Sequence, residues 1–539
     1  MRADASPVPP DTGKPPADPS LTATRAAVAG LVAALVALGV GELLAGFVAG
    51  LPSPVSAVGT AVIDLAPPGG KDVMVSLFGT ADKLALTIIV AVAVLAVGVG
   101  AGLLARRSVT LATVVILGLA AIAAWAGSRL PSTGLGAALL PAAAEASAAT
   151  WTLSYLVGSA RRASAVVATT AGRNASAAAA AAEGRRRFLV QAGVLGGLAV
   201  IGGGLGRRML DSRAGQAAAA ETIIPKATDP APSLAADAGL AVDGITPLIM
   251  PNDRFYRIDT ALITPAIDVG LWKLRVFGMV DKEVNLTFDQ LVQLPLIERY
   301  VTIACVSNEV GGDLVGNAKW TGVRLADVLA TAGVHPDASQ IVPRSIDDWT
   351  AGFPTAWIMD PAHPRDAMIA VKMNDAPLPA EHGFPARLIV PGLYGYVSAT
   401  KWLKEIELTT LDAFDAYWVP RGWAKEAPIL TQARIDVPRS LANVPAGPVV
   451  IAGVAWAPDR GIKAVDISID GGPWQAATLG EKLSSATWVQ WKLTWQSTPG
   501  QHEAEVRATD GTGDVQTDEV TRPDPDGARG HHKIAFQVG

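Results

Sequence analysis

The stretch Tyr300-Val301-Thr302-Ile303-Ala304-Cys305-Val306-Ser307-Asn308-Glu309-Val310-Gly311-Gly312 decides how this chain is read. Its opening, YVTIAC, is a short apolar strand that ends on a cysteine. Polar residues and two glycines follow, so the cysteine belongs at the mouth of a loop, where a thiolate can be approached. Cys305 is the one cysteine in 539 residues. That excludes an internal disulfide framework, a CxxC zinc site, a cysteine-ligated iron–sulfur cluster and a c-type haem attachment. If Cys305 has a chemical role, it acts without a second thiol. The competing reading is an inert, buried thiol, the commoner fate of a lone cysteine.

Outward from this strand the pattern is mixed. Leu271–Val280 alternates as a strand, Phe288–Leu294 has helical spacing, and Val323–Thr331 is an amphipathic helix, so an α+β domain is expected over 251–425. From about Pro428 the pattern is β throughout. Val465, Ile467 and Ile469 alternate with polar residues, Asp470-Gly471-Gly472 signals a hairpin, and Ala504, Val506 and Ala508 repeat the alternation. Trp491, Leu493 and Trp495 would share one face. An immunoglobulin-like sandwich is expected over 426–539. His531 and His532 read as metal ligands or as a solvated tail, the tail being the preferred account.

The N-terminal part is of another kind. Half of the chain's residues are hydrophobic and 17% are charged, but residues 1–206 are dominated by Ala, Val, Leu and Gly. Residues 1–25 read as a disordered cytoplasmic tail. Five apolar runs follow, Ala26–Gly50, Leu84–Ala105, Val109–Gly127, Leu135–Ala160 and Phe188–Gly206, each near the roughly 20 residues a bilayer requires. Together they predict an α-helical transmembrane bundle over 26–206, joined by a linker at 207–250. The basic residues Arg106, Arg107, Arg161, Arg162, Arg173 and Arg185 to Arg187 place the N-terminus in the cytoplasm and everything after the fifth span on the outer face. Arg207 and Arg208 fall on the wrong side of that span. Glu42 and Glu145, near the middle of spans one and four, read either as a proton or quinol site or as a hydrogen bond between helices. No histidine precedes His335, so the spans cannot carry a bis-histidine haem. Gly184-Arg185-Arg186-Arg187-Phe188-Leu189 is similar to a twin-arginine export signal, the alternative being a plain basic anchor. The net charge of −5 gives no sign of a nucleic-acid partner.

Five motifs, in order, resemble the molybdopterin domain of the sulfite oxidase family. They are Asn252-Asp253-Arg254-Phe255-Tyr256; FGMVDKEVNLTFDQLVQLP from Phe277; Cys305-Val306-Ser307-Asn308 with WTGVRLADVL from Trp320; Glu381 to Gly392; and GYVSATKW from Gly395. IAGVAWAPDRGIKAVDISIDGGPWQAA from Ile451 resembles that family's dimerisation domain. The resemblance implies a molybdenum oxidoreductase in which Cys305 ligates the metal of a molybdopterin cofactor, a soft thiolate suiting a metal also held by dithiolene sulfurs. It further implies cofactor contacts from Asn252, Phe255, Tyr256, Ser307, Asn308, Ser345, His382, Arg387, Ser398, Thr400 and Lys401. Tyr417, with Trp418, is expected to close the substrate pocket. The family's sulfite-oxidising members carry arginines soon after the cysteine. Asn308 and Glu309 stand there in this chain, and Val397 replaces another basic residue, with Arg254, Arg344 and Lys319 as candidate substitutes.

The expected activity is oxygen-atom transfer on a small sulfur-containing substrate. The competing expectations are a reductase of an oxidised substrate such as a sulfoxide, and a non-catalytic immunoglobulin-like surface protein. Expected partners are the small-molecule substrate, a separate electron carrier (quinone or cytochrome), membrane lipid and a second copy in a homodimer.

Overall fold

In a computed structural model the structure describes residues 21–48, 50–66, 77–78, 82–130, 133–170, 174–219, 223–235, 237–363 and 365–539. The expected tail lies almost wholly outside these residues, as do Lys71, Asp72 and Arg173. The chain divides into two compact units, Met1–Ser212 and Arg213–Gly539.

The first unit is helical: α1 (Ala23–Phe47), α2 (Pro54–Leu65), α3 (Asp82–Leu104), α4 (Val109–Ser128), α5 (Leu135–Thr170) and α6 (Asn174–Ala219). Among the described residues, four helices are long and apolar enough to cross a membrane: α1, α3, α4 and, within α6, Ala179–Leu210. The expected span Leu135–Ala160 lies on α5, which is helical and long, but its Ser, Thr, Pro141 and Glu145 make it less apolar than the other four. Small residues let the helices approach closely, the usual device where lipid supplies no hydrophobic drive between them. A Cβ on Gly30 of α1 would sit 2.1 Å from the carbonyl oxygen of Gly98 on α3, and one on Gly46 would sit 2.5 Å from that of Gly206 on α6. Glu42 lies toward the C-terminal end of α1, where it accepts a hydrogen bond from Ser53 at the cap of α2.

The second unit is built from four sheets. Its α+β part holds two of them. One has the strands β2 (Val284–Thr287), β1 (Lys273–Gly278), β10 (Leu403–Thr409), β5 (Gln340–Ser345) and β6 (Phe353–Pro354) in that order, with β1 parallel to β10. The other has β3 (Leu296–Ala304), β4 (Val315–Arg324), β7 (Met368–Met373) and β8 (Ala376–Pro377) in that order, with β9 (Arg387–Ile389) paired to β7. Strand β3 (Leu296–Ala304) runs antiparallel to β4 (Val315–Arg324) in a register from Leu296 opposite Val323 to Ala304 opposite Val315. The cysteine loop is therefore the hairpin connection 305–314. Local chemistry sets the helix ends. Thr287 and Gln290 form a capping box at the start of the helix Phe288–Val292, satisfying two otherwise orphaned backbone donors. The amphipathic helix Leu325–Ala332 ends on Gly333 in the left-handed conformation.

The C-terminal part places two sheets around one apolar core: β11 (Gln432–Val437), β13 (Pro448–Trp456), β17 (Val489–Gln496) and β16 (Thr478–Leu479) in one, and β12 (Asn443–Val444), β19 (His532–Val538), β18 (Gly500–Asp510), β14 (Ile462–Ile469) and β15 (Gln475–Ala476) in the other. The expected alternation holds, with Val465, Ile467, Ala504, Val506 and Ala508 all buried. Asp470 and Gly471 both take positive φ in the turn between β14 (Ile462–Ile469) and β15 (Gln475–Ala476). His531 and His532 correct an expectation. They are not a solvated tail: His531 bonds Glu505 and the Gln516 carbonyl, and His532 begins β19 (His532–Val538) and accepts from the Ile435 backbone N–H. Alternation of apolar residues along β19 carries the strand into the sheet and both rings with it.

The two parts of this unit share buried apolar surface. Val454, Trp456 and Trp488 from the C-terminal sheets belong to the same cluster as Leu274, Leu388 and Trp402. The stretch expected as a linker is bonded to both parts. Thr228 donates to the Leu296 carbonyl, the Leu248 carbonyl accepts from Asn317 and Trp488, and Leu240 donates to Gln490.

Candidate active site

Beside Cys305 the second unit opens a cleft of about 880 Å³ of empty space, mouth included. Of the expected site residues, Phe255, Tyr256, Cys305, Ser307, Ser345, Arg387 and Lys401 line it. They come from β9, the end of β5 (Gln340–Ser345) and three loops, so distant stretches of the chain converge there.

Cys305 sits just past β3, and its backbone N–H donates to the Leu314 carbonyl at 2.9 Å. It is buried, and burial pushes its thiol up, against the lowering effect of the nearby Ser307. Asn308 shapes the loop. Its Oδ1 accepts from the Leu314 N–H at 2.8 Å, which accounts for its burial without any contact with the cleft. The loop is also held from the C-terminal sheets. Arg434 donates to the Gly312 carbonyl at 2.7 Å while bonding Asp436 and Thr246. Gly311, at φ +79°, lies so close to His532 that an added Cβ would fall 2.3 Å from the ring.

Arg387 is buried, with its guanidinium 5.2 Å over the Trp320 ring and Nη1 donating to the His382 carbonyl at 3.1 Å. Burial lowers it to about 10. Lys401 is lowered by burial to about 8, and its ammonium is paired to Asp259 at 3.0 Å and donates to the Glu381 carbonyl. Burial lowers His382 to about 4, so the ring is neutral at ordinary pH. Its Nε2 lies 2.9 Å from the Asn252 carbonyl, an acceptor only. Nε2 must therefore carry the proton, which leaves Nδ1 as an acceptor. Phe255 stacks edge-on against His382 and Trp320.

Several buried polar atoms here have no hydrogen-bond partner among the described residues: Ser345 Oγ, Asp347 Oδ1, His382 Nδ1, Arg387 Nε and Thr400 Oγ1. Native interiors rarely leave such groups bare. This set mixes donors and acceptors and matches a ligand of the same kind, such as a pterin with its phosphate. Asp347 is also raised by burial.

Other expected residues stand behind the cleft. Asn252 bonds Asn374 and the Met373 carbonyl, and Ser398 donates to the Tyr394 carbonyl. Tyr417 is not among the lining residues; its ring packs edge-on against Trp418 and beneath Arg421, and Trp418 takes the place at the wall. The candidate substitute cations lie elsewhere too. Arg344 pairs with Glu407, Lys319 pairs with Asp375, and Arg254 is exposed. Sequence reading missed Asp259, Asp347, Trp349, Tyr396 and Trp423. The available signal was the run of Trp349, Trp402, Trp418 and Trp423 within one segment of a chain that has 14 tryptophans.

Residues 261–418 match the family model described as oxidoreductase molybdopterin binding domain. Human mitochondrial sulfite oxidase is 30% identical over 320 residues, covering 50% of this chain and 58% of that protein. The uncharacterized oxidoreductase YuiH of Bacillus subtilis is 33% identical over 156 residues, covering 29% of this chain and 74% of that protein. The sulfane dehydrogenase SoxCD of Paracoccus pantotrophus superposes with a TM-score of 0.47 at 23% identity, over 56% of this chain and 85% of that one. The chain thus spans somewhat more than half the length of the sulfite oxidases it matches. The thiol at the loop mouth, the bare polar atoms around it, the family model and the sequence relatives agree: the chain belongs to the molybdopterin-binding oxidoreductases related to sulfite oxidase.

Proposed function

We propose that this is a membrane-anchored enzyme in which Cys305 ligates molybdenum and the cleft transfers an oxygen atom to or from a small sulfur compound. One observation carries the reading: the only thiol opens into a cleft along whose walls Arg387 Nε, Ser345 Oγ and Asp347 Oδ1 have no hydrogen-bond partner among the described residues. Arg387 Nε and the hydroxyls of Thr400 and Ser345 are suited to the cofactor's phosphate and carbonyl acceptors, and His382 Nδ1 to a pterin amino group. When bound, the cofactor supplies the two-electron oxygen-transfer chemistry. The chain's own part is to hold it, exclude water with the walls of Trp349, Trp402, Trp418 and Trp423, and set the charge the substrate meets.

That charge favours reduction of a neutral substrate, such as a sulfoxide, over oxidation of a dianion. Lys401 is neutralised by Asp259, Asp347 adds a carboxyl, and Arg254, Arg344 and Lys319 are absent from the lining. A doubly charged oxyanion would lack the paired cations it needs. Arg387 alone remains without a carboxylate, in a position suited to the cofactor.

The twin-arginine-like stretch at Arg185 to Leu189, on α6, fits export of a folded, cofactor-loaded unit to the outer face, with the N-terminus in the cytoplasm. The C-terminal sheets, read as an immunoglobulin-like sandwich, would pair two copies. Electrons would pass to or from a separate quinone or cytochrome. The deciding experiment is metal and pterin analysis of the native protein, then a screen of sulfite against sulfoxides with artificial electron carriers. One molybdenum and one pterin per chain with turnover of sulfoxides is the expected result. Protein free of both would favour a non-catalytic surface protein, and sulfite turnover alone would reverse the substrate assignment.

A further inference from the structure

Within the first unit, helices α1 to α5 surround a cavity of about 820 Å³ of empty space, mouth included. Its lining is Gly, Ala, Val, Leu, Ile and Pro, with one exception, the carboxyl of Glu145. Glu145 is 7% exposed, and its Oε1 is buried with no hydrogen-bond partner among the described residues. Gly41 makes room for it: a Cβ there would fall 1.8 Å from that oxygen. The neighbouring Glu42 is in a different state. It accepts from Ser53, which bonds Ser56, and Ser56 accepts from Arg207. One carboxyl of the pair is built into a network, and the other is left facing apolar walls.

A bare acceptor in such surroundings is costly unless a ligand brings the donor. The walls require that ligand to be apolar over most of its surface and soluble in the bilayer. The small side chains of Ala33, Ala120 and Ala123 leave space for a flat ring. Residues 1–212 contain neither histidine nor cysteine, so this unit has no ligand set for a haem or an iron–sulfur cluster. We propose that the cavity is a binding site for an isoprenoid quinol, whose ring hydroxyl donates to the Glu145 carboxyl while its tail lies in the lipid. The choice of a quinol among lipid-soluble donors rests on the oxidoreductase reading; the cavity and its carboxyl do not.

The test uses the full chain in quinone-free phosphatidylcholine nanodiscs and a fluorescent heptyl-hydroxyquinoline N-oxide as the quinol analogue. Saturable quenching at one probe per chain, displaced by decylubiquinol and not by dodecanol, is expected. Glu145→Leu should weaken binding at least about tenfold, roughly 1.4 kcal/mol, with partial rescue in Glu145→Gln. Ala123→Phe, which fills the cavity, should also weaken it, while Glu42→Gln should leave it within about twofold. Melting temperature in the nanodisc identifies any variant that fails to fold. Absence of saturable quenching, unchanged affinity in the folded Glu145→Leu and Ala123→Phe variants, or displacement by dodecanol would each overturn the proposal. The same titration on Cys305→Ser should be unchanged, so failure here and failure of the molybdenum reading are told apart by probe binding and metal content.

Discussion

The cleft beside Cys305 and the cavity beside Glu145 both leave buried polar atoms without protein partners, but the atoms differ in kind. Around the cleft they are mixed: donors on Arg387, Thr400 and Ser345, acceptors on His382 and Asp347. In the membrane unit a single carboxyl faces apolar walls. A mixed set is complementary to a polar ligand that both gives and takes hydrogen bonds. A lone acceptor among Ala and Val is complementary to a mostly apolar ligand with one hydroxyl. Asp510 in the C-terminal sheets shows the opposite condition, a carboxyl saturated by Thr431, Arg460, Thr512 and the Asp514 N–H. Thr355 Oγ1 and Trp491 Nε1 are also without a partner among the described residues yet line neither space, so what sets the cleft and the cavity apart is a bare group beside an open volume.

The sharpest way to break the contrast is at the metal. Cys305→Ser should lower turnover about a thousandfold or more, some 4 kcal/mol of barrier, with pterin retained because the other contacts remain. Full activity would remove the cleft from its place in the comparison. Next in size, Arg387→Leu should cut the pterin that copurifies by about tenfold, the value of one charge-assisted contact, while Lys401→Met, already paired with Asp259, should cut it less. Equal losses would mean that bareness does not single out Arg387. Arg434→Ala should lower stability by about 1–3 kcal/mol and speed alkylation of Cys305 in cofactor-free protein, because the Gly312 carbonyl loses its donor; an unchanged alkylation rate would show the loop holds itself.

The smallest expected effect sharpens the saturated end. Those hydrogen bonds hold Asp510 at about 2, against the opposing effect of burial. A depressed carboxyl contributes stability that is complete above its unfolded value of about 3.9 and disappears as pH falls toward 2. Acid titration of Asp510→Asn should therefore show a shallower loss of stability between about pH 4 and pH 2. A slope identical to the parent chain's would mean that the network does not favour the charged form.

Much of this was readable from the chain. The strand before Cys305, the helical spacing from Phe288 and the alternation of Val465, Ile467 and Ile469 are local patterns, and each appears where expected. Phe255, Ser345, Arg387 and Lys401 were reachable through motifs, although they lie far apart in sequence. What escaped reading depends on packing between distant segments. Nothing near Asp259 indicates that it will neutralise Lys401, 142 positions away. Nothing near His532 indicates that its ring will press on Gly311. Tyr417 and Trp418 were equally good candidates for the wall, and only the direction each ring takes from the backbone places Trp418 there.

That contact between His532 and Gly311 bears on the order in which the protein is made. The loop carrying Cys305 is backed by β19, a strand synthesised more than two hundred residues after it. A nascent chain ending between residues 312 and 531 has its thiol but not its backstop. The loop 305–314 therefore gains its backing only once β19 is in place, and a truncation that removes this strand reaches that loop as directly as a lesion within it.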